Sequence, residues 1–248
     1  VYKGELVGGK FHGSGSFLHK TGGAYRGTYK HGEMHGLGTR TFANGSAYEG
    51  AFIDGAMHGE GMMHWANKNQ YVGIWKDNMP HGRGVVMYGY GDRFEGLFFK
   101  GAFFGRGRYT WSDGGFYEGA YLDQGRRPHS TSSGKRNGYG MRWWVSGNRY
   151  EGEWLDDQME GLGKLIGSNG SVYTGPFRQN QKSGWGKEQY IGGLNGLYRP
   201  LKYTGAWVNG KRMGPGELRM MDGVCLEGHF EDGLLEGHVD VLFPDGGK

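Results

Sequence analysis

Four histidines, His12, His35, His58 and His81, lie 23 residues apart, and each directly precedes a Gly-x-Gly. Imidazoles in so regular a series are what a metal site would draw on. Zinc ligands must converge to about 2.1 Å from one ion, so the ladder's meaning depends on what its period builds. The glycines invite a phosphate reading, but no Gly-x-x-x-x-Gly-Lys-Ser/Thr run occurs, and Gly134-Lys135 lacks its upstream glycine. Asn44-Gly45-Ser46 and Asn169-Gly170-Ser171 match a glycosylation sequon and equally match a tight turn. No Ser/His/Asp or Cys/His constellation is recognisable, so the expectation is a chain that is not an enzyme, with no catalytic residue, cofactor or resident metal.

Stepping from these residues to what positions them, aromatic-x-Gly triplets recur at Tyr2, Tyr25, Tyr48, Tyr71, Phe94 and Tyr117, each 23 residues after the last. The series resumes at Tyr150, Tyr173 and Tyr203 and ends in a weak unit at Leu226. Two insertions, placed at 126–136 and 187–202, break the step. Gly-x-Gly keeps phase eleven residues after each first aromatic, from Gly13 and Gly15 to Gly214 and Gly216. A further apolar residue follows each first aromatic by four: Leu6, Tyr29, Phe52, Trp75, Phe98, Tyr121, Trp154, Phe177, Trp207 and Phe230. Offsets of zero, two and four share one face of a strand. The spacing therefore predicts a strand, a turn, a second strand opened by Gly-x-Gly, and a second turn, with strands of about five to six residues. Asn44-Gly45, Asn169-Gly170 and Asp222-Gly223 are turn signals in the required places.

Such hairpins would stack, since one alone is marginal in water. Tyr or Trp rings would lie flat on glycines of a neighbouring strand, and Gly82→Val is expected to wedge a side chain beneath a ring. The fold class expected is all-β: an elongated, twisted antiparallel sheet of ten stacked hairpins in a single array. With strands about 4.8 Å apart, equivalent histidines stand about 9.6 Å from one another. Single-chain metal binding then fails, leaving a zinc shared between two molecules against the simpler role of steadying turns.

Composition agrees. The chain has 54 Gly in 248 residues, yet 8 Trp, 16 Tyr and 13 Phe, too many aromatics for a disordered polymer. There is no Gly-X-Y run to suggest collagen. A net charge of +4 admits acidic partners without selecting one. The lone Cys225 points to a reducing compartment, no apolar run is long enough to span a bilayer, and the expectation is a chain without a signal peptide before the first repeat.

The stretch Tyr48-Glu-Gly-Ala-Phe-Ile-Asp-Gly-Ala-Met-His-Gly-Glu-Gly61 resembles the MORN repeat (Tyr-x-Gly-x-Trp-x-x-Gly-x-x-x-Gly-x-Gly), as does Tyr25 through Gly38. The resemblance covers essentially the whole chain and departs from it at the insertions, at Pro176 and in the last unit. It implies a β-hairpin solenoid serving as a cytoskeletal, axonemal or membrane-junction scaffold, or as an appendage of an enzyme. The long array with an enlarged late loop is similar to radial-spoke-head members of the family.

The function expected is a scaffold or spacer mediating protein–protein contacts in a cytoplasmic, cytoskeletal or ciliary assembly. Partners would be other proteins, including further MORN-repeat chains joined by edge or end-to-end contact. The alternatives are anionic phospholipid, met through Arg83, Arg93, Lys100, Arg106 and Arg108, or service as the regulatory array of a larger enzyme. Nucleic acid is not expected. Interaction residues expected are the aromatics Tyr29, Phe52, Trp75, Phe98, Tyr121 and Trp154, ranked first as packing, and Arg126, Arg127, Lys135 and Arg136 of the first insertion, which offer contact to an acidic surface.

Overall fold

Alternation with period two sends the ring-bearing positions of each repeat to one side, and the fold follows from what lies under those rings. The computed structural model describes residues 1–122, 134–191 and 200–245, and no helix occurs among them. The chain is all-β and antiparallel, two strands to a repeat, with Gln181–Lys182 and Gly184–Gln189 sharing one strand's role. It divides into two compact units. One comprises Val1–Asp113 with Tyr121–Gly134, the other Gly114–Ala120 with Lys135–Lys248. Each is built of strands paired in chain order.

A hairpin of the first unit shows the rule. Strand Ala24–Lys30 pairs with Glu33–Thr41, placing Gly27 opposite Gly38 and Thr28 opposite His35. Gly36 and Leu37 are left over as a bulge, and Gly36 takes a φ of 66°. The bulge exists on one side only: toward the next strand, Gly36, Leu37 and Gly38 face Phe52, Ala51 and Gly50 in regular order. Gly-x-Gly therefore does not open the second strand, as its sequence position suggested. It lies in the middle of nine residues, and the first strand has seven, both longer than expected. An extra loop of backbone in mid-strand bends the strand and keeps pairing alive on both sides of it.

Over each Gly–Gly pair lies the first aromatic of the repeat. A Cβ placed on Gly38 would stand 2.4 Å from the Tyr25 hydroxyl and 2.6 Å from its ring carbons. The hydroxyl donates to the carbonyl of Thr28, 3.0 Å away, where the bulge interrupts the ladder. The same bond joins Tyr48 to Ala51 and Tyr71 to Ile74 in the first unit, and Tyr150 to Glu153 and Tyr203 to Ala206 in the second. The rings then meet edge to face in a zigzag: Tyr25–Phe52 at 5.2 Å, Tyr48–Trp75 at 5.2 Å and Tyr71–Phe98 at 5.0 Å in the first unit. In the second, Tyr117–Trp154, Tyr150–Phe177 and Tyr173–Trp207 continue the pattern between 5.0 and 5.3 Å. Such pairs add about 0.5–1.5 kcal/mol each beyond area burial.

Turns are stitched repeat to repeat. Asn69 Oδ1 accepts from the Gly89 amide at 2.9 Å and Asp92 Oδ1 from Ser112 at 2.8 Å; in the second unit Asn148 accepts from Ser168 at 2.8 Å. At the opposite edge Asn78 Oδ1 accepts from Met57, and Asn180 from Met159. Asn44 and Asn169 hold their own turns by accepting from Ser46 and Ser171 at 3.0 Å, the turn role the sequon-like triplets also fit.

The expected effect of Gly82→Val needs a different cause. Gly82 has a φ of 61°, and a Cβ there would make only ordinary contact with Ile74 at 3.5 Å. Its glycine is required by the left-handed backbone of the bulge, not by a ring. The ring floor is Gly84, whose Cβ would fall 2.4–2.6 Å from Tyr71. Tyr71 cannot swing away, being fully buried and bonded to Ile74. Gly84→Ala is expected to cost about 3 kcal/mol, as overpacking does, and Gly82→Ala about 1 kcal/mol, the cost of a left-handed non-glycine residue. Urea melts of the two variants check the order; equal losses would refute a ring floor at Gly84.

Candidate functional site

Since the rings occupy one face, the sheet of each unit has an inner ring face and an outer face. Tyr29, Phe52, Trp75, Phe98, Tyr121 and Trp154 all lie on the ring face and are 6, 1, 2, 4, 3 and 3 % exposed. Their place is in packing, the role ranked first for them, and none of them offers an open ring.

The histidine ladder is on the outer face and points at turns. His35 Nδ1 is 3.5 Å from Asp54 of the next repeat and His58 Nδ1 is 3.8 Å from Asp77. In the second unit the equivalent residue, Glu160, accepts from the backbone of the next turn at Gln179, 2.8 Å away. One position thus holds a carboxylate that bonds the next turn in the second unit and imidazoles that only approach it in the first, where His35 Nδ1 has no hydrogen-bond partner among the described residues. Among the described residues the one group with metal-ligand atoms in common reach is Glu217, Cys225 and Glu227, within 4.8 Å of each other. Arg219 already binds Glu217 at 3.3 Å, and burial, then Glu217, push the Cys225 thiol up, so it stays protonated and unreactive.

Of the insertion residues, Arg126 and Arg127 lie outside the described residues. Lys135 and Arg136 are not loop but the start of strand Lys135–Trp143. Lys135 reaches Asp156 at 3.5 Å, and Arg136 donates to Asp157 at 3.0 Å with its guanidinium 4.3 Å above the Trp154 ring. Arg136 has its charge answered inside the unit and is not a free contact for an acidic surface. The second insertion also shrinks, because Lys187–Gln189 and Pro200–Lys202 are strand.

Arg136 belongs to a row the sequence reading passed over. The position two before the first glycine of each Gly-x-Gly is Met34, Met57, Pro80 and Phe103 in the first unit, where it pairs with the second aromatic. Phe103 stacks on Phe94 at 3.6 Å. In the second unit Met159 keeps the type, but Lys182 and Arg212 replace it. Lys182 lies 4.6 Å above Trp207 and 5.0 Å above Tyr173, and Arg212 5.5 Å above Tyr203. Lys182 forms a close ion pair with Glu188, which is 8 % exposed and also accepts from Tyr190 at 2.9 Å.

The outer face is where large side chains meet solvent. Leu37 is 74 % exposed in the first unit, and Tyr139, Leu162 and Trp185 are 60, 63 and 60 % exposed in the second. All four stand between the glycines of a Gly-x-Gly. Arg83 and Arg106 hold the same position in the first unit, beside Val72, Val85, Glu95 and Leu97. Reading that middle residue in phase would have shown the row from sequence; attention to the glycines hid it.

A family model described as the MORN repeat matches residues 2–24, 25–47, 48–70, 71–93, 94–116, 132–149, 150–172 and 203–224, well over half of the chain. Alsin of Rattus norvegicus is 35% identical over 78 residues, and Alsin of Homo sapiens 32% identical over the same length. These stretches cover 32% of this chain and 5% of each relative. Among solved structures, the TCP10 domain of Danio rerio CPAP in complex with a peptide of STIL is 10% identical, with a TM-score of 0.45, covering 100% of this chain and 96% of that one.

Two tests follow from the ring face. Burial pushes Tyr48 and Tyr173 up to about 12, and raises Tyr71 and Tyr150 further. A tyrosine whose folded pKa exceeds its unfolded value near 10 favours the fold fully below pH 10 and loses that contribution as pH rises toward 12. Most of the tyrosinate absorbance should therefore appear together with loss of the β circular-dichroism signal; complete ionisation of the tyrosines near pH 10 with the sheet intact would contradict ring burial. Separately, Lys182→Met alone should cost about 3 kcal/mol by stranding Glu188. Adding Glu188→Met recreates the Met57–Met63 combination of the third repeat and should restore stability to within about 1 kcal/mol, as read by denaturant midpoints.

Proposed function

This chain belongs to the MORN-repeat family, and on that footing we propose that it is a non-catalytic scaffold that holds other proteins in a cytoplasmic, cytoskeletal or ciliary assembly of radial-spoke type. The observation that carries the reading is the exposed row between the glycines. Packing consumes the rings and the stitching residues, yet Leu37, Leu162, Tyr139 and Trp185 stand more than half exposed on the face that packing does not use. Exposed large apolar side chains are features of interaction surfaces. The axonemal setting rests on the family resemblance alone.

A second reading has its own observation. Arg83 and Arg106 lie on the outer face of the first unit, in neighbouring Gly-x-Gly motifs, beside apolar Val72 and Leu97. Guanidinium groups next to apolar side chains suit anionic phospholipid. Service as the regulatory array of a larger enzyme is compatible with either reading.

Cross-linking mass spectrometry of the native assembly decides between them. The scaffold reading expects protein cross-links from outer-face lysines such as Lys164 and Lys187, and sedimentation with vesicles that Arg83→Glu and Arg106→Glu leave unchanged. Vesicle binding that rises with anionic lipid and is lost in those variants, without protein cross-links, would replace it with the lipid reading.

A further inference from the structure

On the outer face of the second unit the exposed row is continuous. Tyr139 stands opposite Glu153, Leu162 opposite Pro176, Trp185 opposite Ala206, and Pro215 opposite His229. Beyond Trp185 the surface becomes concave and acidic, lined by Pro215, Glu217, Glu227, His229 and Asp240. We propose that this row docks a proline-rich segment of a partner protein in the polyproline II conformation, with a lysine or arginine of that segment seated between Glu217 and Glu227. The proposal rests on the scaffold reading and names its partner class.

Spacing is the first argument. Successive members of the row are two strands apart, about 9.6 Å. A polyproline II helix turns once in three residues, about 9.3 Å, so every third residue meets the next member with a slip of about 0.3 Å. An α-helix presents its equivalent residue seven positions on, after about 10.5 Å, and slips about three times as far per repeat. An extended strand returns to one face every 6.6–6.8 Å or so and falls out of phase at once.

Hydrogen bonding is the second. A polyproline II segment has no internal hydrogen bonds, so its carbonyls seek donors. Trp185 is 60 % exposed, and its indole N–H has no partner among the described residues. Flat aromatic surfaces with a free donor are how proline-rich segments are generally held. Tyr139 adds a second ring, fixed by donating to Glu151 at 3.0 Å.

Charge is the third. Glu217 faces Glu227 directly across the strands, and Glu227 in turn faces Asp240. Like charges in opposed positions destabilise a sheet. Arg219 answers Glu217 at 3.3 Å and His238 lies 3.7 Å from Asp240, but no cation within the chain pairs with Glu227 among the described residues. A basic side chain from outside would relieve the cluster. Lys187 and Lys164 sit one and two repeats along the same face toward the earlier strands, opposite Thr204 and Thr174. The sign of charge changes along the row and sets the direction of the bound segment.

Fluorescence polarisation with the whole chain tests this, using a synthetic peptide of four Pro-x-x turns carrying arginine at one end. One-to-one saturable binding is expected. Trp185→Ala should weaken it at least about tenfold with no change in melting, because the side chain is exposed. Glu227→Gln should weaken the arginine peptide several-fold but not its uncharged counterpart, and Leu37→Ala in the first unit should change nothing. No binding, equal binding by the Trp185→Ala variant, or equal binding of an alanine-rich helical peptide overturns the proposal. If cross-links join the native chain to proteins at other surfaces while the peptide fails to bind, the scaffold reading survives and this one falls.

Discussion

A ring can lie on a sheet only where the backbone beneath it is bare on both strands, and in this protein that requirement organises everything else. Gly27 faces Gly38, Gly50 faces Gly61 and Gly73 faces Gly84 within hairpins of the first unit; Gly152 faces Gly163 and Gly205 faces Gly216 in the second. Two glycines opposed in mid-sheet cost backbone entropy and leave no side chain to pack. The tyrosine that fills the space replaces both losses, and its hydroxyl serves the carbonyl that the bulge has left short of a donor. Glycine pair, bulge and tyrosine are therefore one device. Phe94 shows which parts are separable: it fills the floor over Gly96 and Gly107 without a hydroxyl, and Phe103 stacks on it instead.

The device also sets what can vary. The position covering each ring touches aromatic faces whatever else it does, so it accepts any side chain that a π surface welcomes. Apolar residues satisfy it by dispersion, and cations satisfy it through the ring quadrupole. Phe103, Met159, Lys182 and Arg212 thus occupy one structural role. Half-buried cations need answering charges, however, and Asp157 and Glu188 supply them beside Arg136 and Lys182. Charge on the second unit's ring face is for this reason bound up in packing.

Repeat architecture and register were legible in the sequence because both depend on residues with sharp physical requirements. An aromatic at zero, glycine at two and an aromatic at four leave a period-two trace that recurs in phase along the chain. The bulge was not legible. Gly36 looks like any glycine in a pattern, and only its left-handed φ separates it from Gly38, whose need is space. That is why a strand boundary was expected where a mid-strand irregularity occurs, and why Gly82 was assigned the task of Gly84. The insertions were located but drawn too wide, since Arg136 and Lys187 belong to strands by pairing rather than by any local signal. Contact residues were sought among the aromatics because aromatics mark interfaces, yet in a sheet with glycine floors those same rings are the interior.

The two faces consequently answer to different constraints. On the ring face each side chain is fixed by its neighbours in two adjacent repeats, so a change at one position propagates along the zigzag of edge-to-face contacts. On the outer face the bulge that the first glycine creates presents the residue between the glycines to solvent, and no ring of the packed face depends on it. Serine, leucine, glutamate, arginine, tyrosine and tryptophan all occupy that position in this one chain. A repeat whose stability ignores its most exposed residue can carry a different surface at every step of about 9.6 Å. Within each unit the outer face can therefore change from hairpin to hairpin while the rings beneath it keep the same packing.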